Sequence, residues 1–401
     1  MSENNEYDSS VTGIRNVIAL GFVSLFTDIS SEMVFGLLPL FLTTQIGASR
    51  TLLGLVEGTG EMVGYTVRMP SGTVSDKIQK RKPLVLIGYS LSTLTKPFFA
   101  LAHVWTDVFV VRAIDRVGKG IRVSPRDALI SDSVLESKVG RAFGIHRSLD
   151  QIGAIIGPLI AFALFPYFGF GGIFYFSFIP GAIALFILVV FVKEKIGLTS
   201  SSGLKNTQSI FANIKNVTKE KRFIILLGII GIFSVGAFNF SFILIRASDL
   251  GVSQNFIPVI YAVINVAHVV IGFPSGMLSD RIGKEKVLAI SYAVFLVSTV
   301  FMLLSTNFTH AYILAIVFGT YVGIAETVQR AIIPKYIVSE FRGTAYGLYN
   351  LVLGISLLVA NFVFGFLLDS SGISMAATYS IVTTSLAIVA IVAFQFFCKR
   401  H

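Results

Sequence analysis

Apolar residues along the chain collect into long blocks near 14–44, 50–74, 83–104, 106–130, 142–165 and 172–192, each broken by turn residues or charges. A second set follows near 223–247, 254–278, 287–306, 311–334, 344–368 and 374–397. About 20 apolar residues in helical form cross the hydrocarbon core of a bilayer. The pattern therefore predicts an all-α polytopic membrane protein with twelve transmembrane helices. Residues 193–222 are the longest polar stretch between blocks, rich in Ser, Lys and Asn. They read as a cytoplasmic linker between two six-helix halves, 1–192 and 223–401. No other interval is long enough to hold a soluble domain.

Composition agrees. The 401 residues are 54% hydrophobic and only 13% charged, where a soluble domain is about 25% charged. Mean hydropathy is +0.79. The net charge of +10 would suit nucleic acid only on a solvated face, and apolar runs surround nearly every basic cluster here. A nucleic-acid partner is therefore not expected; the lipid bilayer is. The single Cys398 excludes an internal disulfide and a cysteine-built metal site. No His/Asp/Glu cluster has metal-ligand spacing, so neither metal nor cofactor is expected. There is no Walker-type phosphate loop and no Gly-x-Ser-x-Gly elbow, so the chain does not read as an enzyme. The first thirteen residues are acidic (Glu3, Glu6, Asp8) and lack the basic start of a cleaved signal.

Loop charges set the orientation. With the N-terminus inside, the cytoplasmic segments hold twenty Lys and Arg while the outer loops hold Arg50 alone. By the positive-inside rule both termini are cytoplasmic, and a cell-membrane location is expected.

The halves repeat in sequence. Pro70-Ser71-Gly72 through Ser75-Asp76-Lys77 recurs as Pro274-Ser275-Gly276 through Ser279-Asp280-Arg281, an offset of 204 residues. Both copies sit where the second span of a half meets its cytoplasmic loop. The same offset maps Arg126 onto Arg330. In transporters built from parallel repeats the substrate site lies near the midplane between them.

These residues resemble the major facilitator superfamily. Its loop signature, Gly-x-x-x-Asp-Arg-x-Gly followed by two basic residues, is nearly complete in Gly276-x-x-x-Asp280-Arg281-Ile282-Gly283-Lys284. In the first copy, Gly72-x-x-x-Asp76-Lys77-Ile78-Gln79-Lys80-Arg81, Gln79 stands for the usual Gly. The resemblance implies a conformational latch made by Gly72, Asp76, Lys77, Arg81, Gly276, Asp280, Arg281 and Gly283. Gly153-Ala-Ile-Ile-Gly157-Pro158 in the fifth span resembles the Gly-x-x-x-Gly-Pro motif of the drug:proton antiporter branch. Small residues four apart let helices approach closely, and Pro158 bends its helix. Arg116-Val-Gly-Lys119-Gly120 resembles that branch's Arg-x-x-Gln-Gly motif with Lys119 in place of Gln, so an implied part in proton coupling falls on Arg116.

The fourth span carries the densest intramembrane charge. Arg112, Asp115, Arg116, Lys119, Arg122 and Arg126 fall on one helical face, an arc of roughly 120°. A basic side chain at a span centre costs at least ~2.5 kcal/mol, so the stripe is expected to face protein or an aqueous cavity. Asp28 and Glu32 on the first span, and Glu57 and Glu61 on the second, are available partners. Glu326, on the tenth span with Gln329 and Arg330, lies 204 residues after Arg122, so the repeat relates opposite charges. Glu326 is the first candidate proton carrier, with Asp28, Glu32 and Arg116 next. Arg112, Asp115, Lys119, Arg122, Asn239, Gln329 and Arg330 are substrate-cavity candidates, with Phe238, Phe240 and Phe242 beside Asn239. Arg246 and Asp249 are expected to pair at the outer end of the seventh span. His268 reads as packing.

The leading expectation is a secondary transporter working by alternating access: proton-coupled antiport, with efflux of a small organic or amphipathic compound, by a monomer. An organic-anion or phosphate-ester exchanger or symporter of the same fold is the alternative, motivated by the cavity cations. A non-transporting membrane receptor is the third reading.

Overall fold

The computed structural model describes residues 2–78, 80–194 and 210–399. Gln79, residues 195–209 of the linker and the side chain of Asp76 lie outside the described residues. Among the described residues every regular element is helical. The first half comprises α1 (Ser2–Phe35), α2 (Arg50–Ile78), α3 (Arg81–Phe99), α4 (Trp105–Asp132), α5 (Val139–Phe176) and α6 (Phe178–Phe191). A short helix, Ile210–Lys219, closes the linker. The second half holds α7 (Lys221–Gly236), α8 (Phe240–Asp249), α9 (Ile257–Ile282), α10 (Lys284–Leu304), α11 (Phe308–Ala331), α12 (Arg342–Ser370) and α13 (Gly372–Lys399).

Eight stretches among the described residues are long and apolar enough to cross a membrane. One of them, Val139–Phe191, contains both the fifth and sixth expected spans. Gly169 divides it, with a φ of 59° that a side chain would strain. The second, third and fourth expected spans are not among the eight, because Glu57, Glu61 and Arg68, then Lys96, then the α4 stripe dilute their apolar runs. All twelve expected spans are thus present as helices. The seventh is broken: α7 ends at Gly236, and Asn239 restarts the helix by accepting a hydrogen bond from the Ser241 amide at 3.0 Å.

The chain forms two compact units, Met1–Leu38 with Thr66–Asn206 and Pro39–Tyr65 with Thr207–His401. Residues 39–65, in the first six-span set by sequence, pack in the second unit. The reason is local: Asp369 at the end of α12 caps the start of α2, accepting from the amides of Arg50 (3.2 Å) and Thr51 (2.7 Å) and from the Thr51 hydroxyl (2.6 Å).

In the first unit α1 packs along α5 and α3 along α4. Missing side chains set both contacts. A Cβ on Gly153 would lie 2.4 Å from the Leu25 carbonyl oxygen and 3.1 Å from the Asp28 Cβ. One on Gly157 would lie 2.8 Å from the Ile29 oxygen and 2.9 Å from the Glu32 Cβ. The expected close-approach face of the fifth span is therefore the seam with α1, directly opposite the two acidic residues. In the second unit α9 packs along α11.

Candidate functional site

In the first unit the α4 stripe divides by depth. Arg112, Asp115, Arg116 and Arg122 are buried, whereas Lys119 and Arg126 keep partial exposure. The buried members meet protein. The Arg112 guanidinium lies 3.9 Å from the Phe35 ring centre on α1, and that of Arg116 lies 5.3 Å from the same ring. Such stacking on an aromatic face is one way to house a weakly hydrated cation. Arg112 also approaches Asp115 on its own helix at 3.9 Å. Arg122 lies 4.5 Å over the Tyr89 ring and donates to the Ser92 hydroxyl at 2.7 Å, while Ser92 donates to the Asp115 carbonyl oxygen at 3.1 Å. Arg126 forks onto Asp127 at 3.0 and 2.8 Å.

Sequence reasoning missed a fourth buried cation. Lys96 on α3 is 0% exposed and its Nζ has no hydrogen-bond partner. The charges of Asp115 and Arg122 act on it most strongly, followed by those of Asp28 and Glu32. The signal was available: Lys96 is a charge inside the third apolar block, and an intramembrane ionisable residue marks a functional position by default.

Asp28 and Glu32 are partly exposed on α1. Both act electrostatically on Lys119, so the structure brings the acidic pair of the first span to the accessible part of the stripe. Asp150 on α5 faces the same helix, accepting from the Ser24 hydroxyl of α1 at 2.5 Å.

In the second unit Glu326 on α11 meets His268 on α9, with Oε2 and Nε2 3.6 Å apart. His268 was expected to be a packing residue; it is the imidazole beside the first-ranked carboxylate. Gly323, one turn before Glu326, permits this approach, since a Cβ there would lie 2.5 Å from the His268 carbonyl oxygen. Gln329 is buried and accepts from the Tyr349 hydroxyl at 2.9 Å. Arg330 is exposed, and its carbonyl accepts from Tyr346 at 3.0 Å. Asn239 is engaged as the cap of α8, and its amide donates to Asn361 Oδ1 at 2.8 Å. Phe238 and Phe242 are buried in an aromatic cluster with Phe364, ring centres 4.4 and 4.9 Å away, so these two rings fill core.

One expected pair is different. Asp249 joins Arg50, at 2.7 and 2.8 Å to its two oxygens, rather than Arg246. Arg246 instead donates to the Ser305 carbonyl at 2.6 Å, satisfying the end of α10.

The two segments expected to form the latch are tied to their neighbours in a related way. In the first unit the Ser71 hydroxyl donates to the Ile121 carbonyl at 2.5 Å and Ser124 donates to that of Arg68 at 3.0 Å. Arg81 pairs with Asp132 at the end of α4. The equivalent positions in the second unit, 204 residues on, are Glu285 and Tyr336. There Glu285 accepts from Tyr336 and pairs with Lys335 at 2.5 Å. Gly283 turns the loop with a φ of 101°. Glu285 lies just outside the apolar block 287–306; burial pushes its carboxyl up, but the hydrogen bonds from Lys335 and Tyr336 outweigh this and hold it below the ordinary glutamate value.

Among the described residues no group of three or more His, Cys, Asp or Glu is placed to hold a metal ion.

The Major Facilitator Superfamily profile matches residues 20–245 and 224–401. An uncharacterized MFS-type transporter of Methanocaldococcus jannaschii is 34% identical over 380 residues, covering 92% of this chain and 91% of its own. The multidrug resistance protein MdtG of Proteus mirabilis is 25% identical over 304 residues, 73% of this chain and 74% of its own. In three dimensions the nucleoside transporter NupG aligns with a TM-score of 0.78 at 14% identity, covering 94% of this chain and 98% of that one. Two repeated halves of apolar helices, both matched by one profile, place this chain in the Major Facilitator Superfamily as a multi-pass membrane transporter.

Proposed function

We propose that the protein is a proton-coupled antiporter of the cell membrane, with both termini cytoplasmic, that exports a small organic or amphipathic compound as a monomer by alternating access. The contact between Glu326 and His268 carries this reading. A carboxyl and an imidazole on neighbouring apolar helices, 3.6 Å apart, can hold a proton or pass it between them. Imidazole is also the side chain whose ordinary pKa of about 6.5 lies nearest neutrality. The likeness to MdtG, and the Gly153–Pro158 seam against Asp28 and Glu32, support the antiporter branch.

Reconstitution into vesicles holding a pH-sensitive dye tests it. Addition of cationic or neutral amphiphiles should discharge an imposed proton gradient in the parent protein and fail to do so in Glu326→Gln. Substrate flux indifferent to the proton gradient would overturn the proposal.

A second reading, exchange or symport of an organic anion or phosphate ester, is favoured by the buried cations Lys96, Arg112, Arg116 and Arg122 in the first unit. The same vesicles distinguish it, because anion flux would then proceed without dye recovery.

A further inference from the structure

The seventh span is interrupted near its middle. Lys221–Asp249 is long and apolar enough to cross a membrane as one stretch, yet α7 ends at Gly236 and α8 begins at Phe240. Non-helical backbone at that depth is tolerated where it is buried in protein or lines a cavity, and its polar groups still need partners.

The start of α8 is served by protein. Asn239 caps it through the Ser241 amide at 3.0 Å, the Phe242 amide donates to the Asn239 carbonyl at 3.1 Å, and the Asn239 amide donates to Asn361 Oδ1 of α12 at 2.8 Å. The end of α7 is served less well. The Ser234 carbonyl accepts from the Ala237 amide at 3.3 Å, and that of Val235 accepts from the Tyr379 hydroxyl of α13 at 2.7 Å. Among the described residues no donor meets the carbonyls of Gly236, Ala237 or Phe238, and all three residues are buried. Two amides, of Phe238 and Phe240, likewise lack an acceptor there, so oxygen is in surplus.

That surplus lies at the C-terminal end of a sixteen-residue helix, the negative pole of its dipole. A further oxygen borders it: a Cβ on Gly236 would lie 1.7 Å from Thr383 Oγ1 of α13. Glycine at 236 thus leaves room for the hydroxyl, which donates to carbonyls of its own helix at 2.9 and 3.1 Å and keeps a lone pair. Every one of these oxygens is neutral. Hard neutral oxygens at a negative helix end suit a cation, and without a carboxylate they suit a monovalent one. Asn239 and Phe240 are partly exposed, which gives an ion an approach. The first half is interrupted at the matching place: α1 ends at Phe35, 204 residues before Asn239, and helix resumes at Leu38. Paired interruptions of this kind point to ion and substrate sites in transporters.

We propose that the break in the seventh span binds one monovalent metal cation, held by backbone carbonyls at the end of α7 and by the Thr383 hydroxyl. The site lies wholly within the second unit and is independent of whether Glu326 exchanges a proton.

The test is thermal unfolding of the full-length protein in detergent, with sodium chloride compared against choline chloride at equal concentration. No proton gradient is present, so the result does not depend on antiport. Sodium should raise the unfolding midpoint of the parent saturably. Thr383→Val keeps the side chain's shape and removes its oxygen; its midpoint in choline should stay near that of the parent, while half-saturation should need about tenfold more sodium. Thr383→Ser, which restores the hydroxyl, should respond as the parent does. Equal midpoints of the parent in sodium and choline would overturn the proposal, and so would a sodium response in Thr383→Val identical to that of the parent.

Discussion

Replacing Lys96 with Met separates a charge kept for function from one that stabilises the fold. The ammonium is fully buried and its Nζ has no hydrogen-bond partner, so it bears a desolvation cost with little local return. A buried polar group without a partner costs about 1–3 kcal/mol in mutational series. Methionine has nearly the same length and flexibility without the charge, and exchanging buried charges for apolar groups of like volume is often neutral or stabilising by about 1–4 kcal/mol. Lys96→Met also relieves repulsion with Arg122, at the loss of attraction to Asp115. The expected net is a stabilisation of about 1–2 kcal/mol, seen as a higher midpoint of thermal or denaturant unfolding in detergent, together with reduced transport. Asp115→Asn should do the opposite, by roughly 3 kcal/mol, because it removes a buried carboxylate that both Lys96 and Arg112 face. In the double variant the loss should shrink, since one of the cations that Asp115 balances is gone. Destabilisation by Lys96→Met alone, or simple additivity in the cycle, would refute the assignment of Lys96 as an unpaired cation coupled to Asp115.

Two further outcomes follow from the packing and the loop charges. Gly153→Val forces side-chain atoms into the space of the Leu25 carbonyl and Asp28, so it should lower stability by about 1–3 kcal/mol. Gly144→Ala on the same helix, where nothing lies within 4 Å, should leave the unfolding midpoint nearly unchanged, and equal effects would refute the seam. Glu285→Gln should destabilise by about 1 kcal/mol at neutral pH. Because the folded-state value of Glu285 is held low, its contribution is fully present above the ordinary glutamate value of about 4.3 and fades as pH falls further. Unfolding curves of parent and variant should therefore converge in acid, and a constant gap down to the acid limit would refute the linkage.

The helical architecture and the family were legible because a bilayer admits few ways to satisfy a backbone. Long apolar runs mean helices, and a repeated loop motif at one offset means a duplicated half. The acidic residues of α1 and the glycines of α5 were also legible separately, since each follows a helical spacing. Their juxtaposition was not, because spacing within a helix says nothing of which neighbour covers its face. Lys96 and Asp150 were passed over for a related reason: each stands apart from a recognisable motif, and only packing gives it partners. Arg246 and Asp249 show the reverse error. Three residues apart on one helix, they looked like a pair, but Asp249 is taken by Arg50 and Arg246 by a helix-end carbonyl.

The repeat itself behaves unlike a simple copy. At an offset of 204 residues, Arg122 becomes Glu326, Arg81 becomes Glu285 and Asp132 becomes Tyr336. In each half the residue opening the third span, Arg81 or Glu285, is bound to the end of the fourth or tenth span. The contact has survived duplication while its charges have changed sides. What the fold requires at that place is a tie between two helix ends, and an ion pair supplies it in either polarity. The same inversion deeper in the spans gives one half a cationic stripe and the other an acidic residue beside an imidazole. A repeated scaffold thereby carries two chemically different sets of side chains, one of buried cations and one pairing a carboxyl with an imidazole.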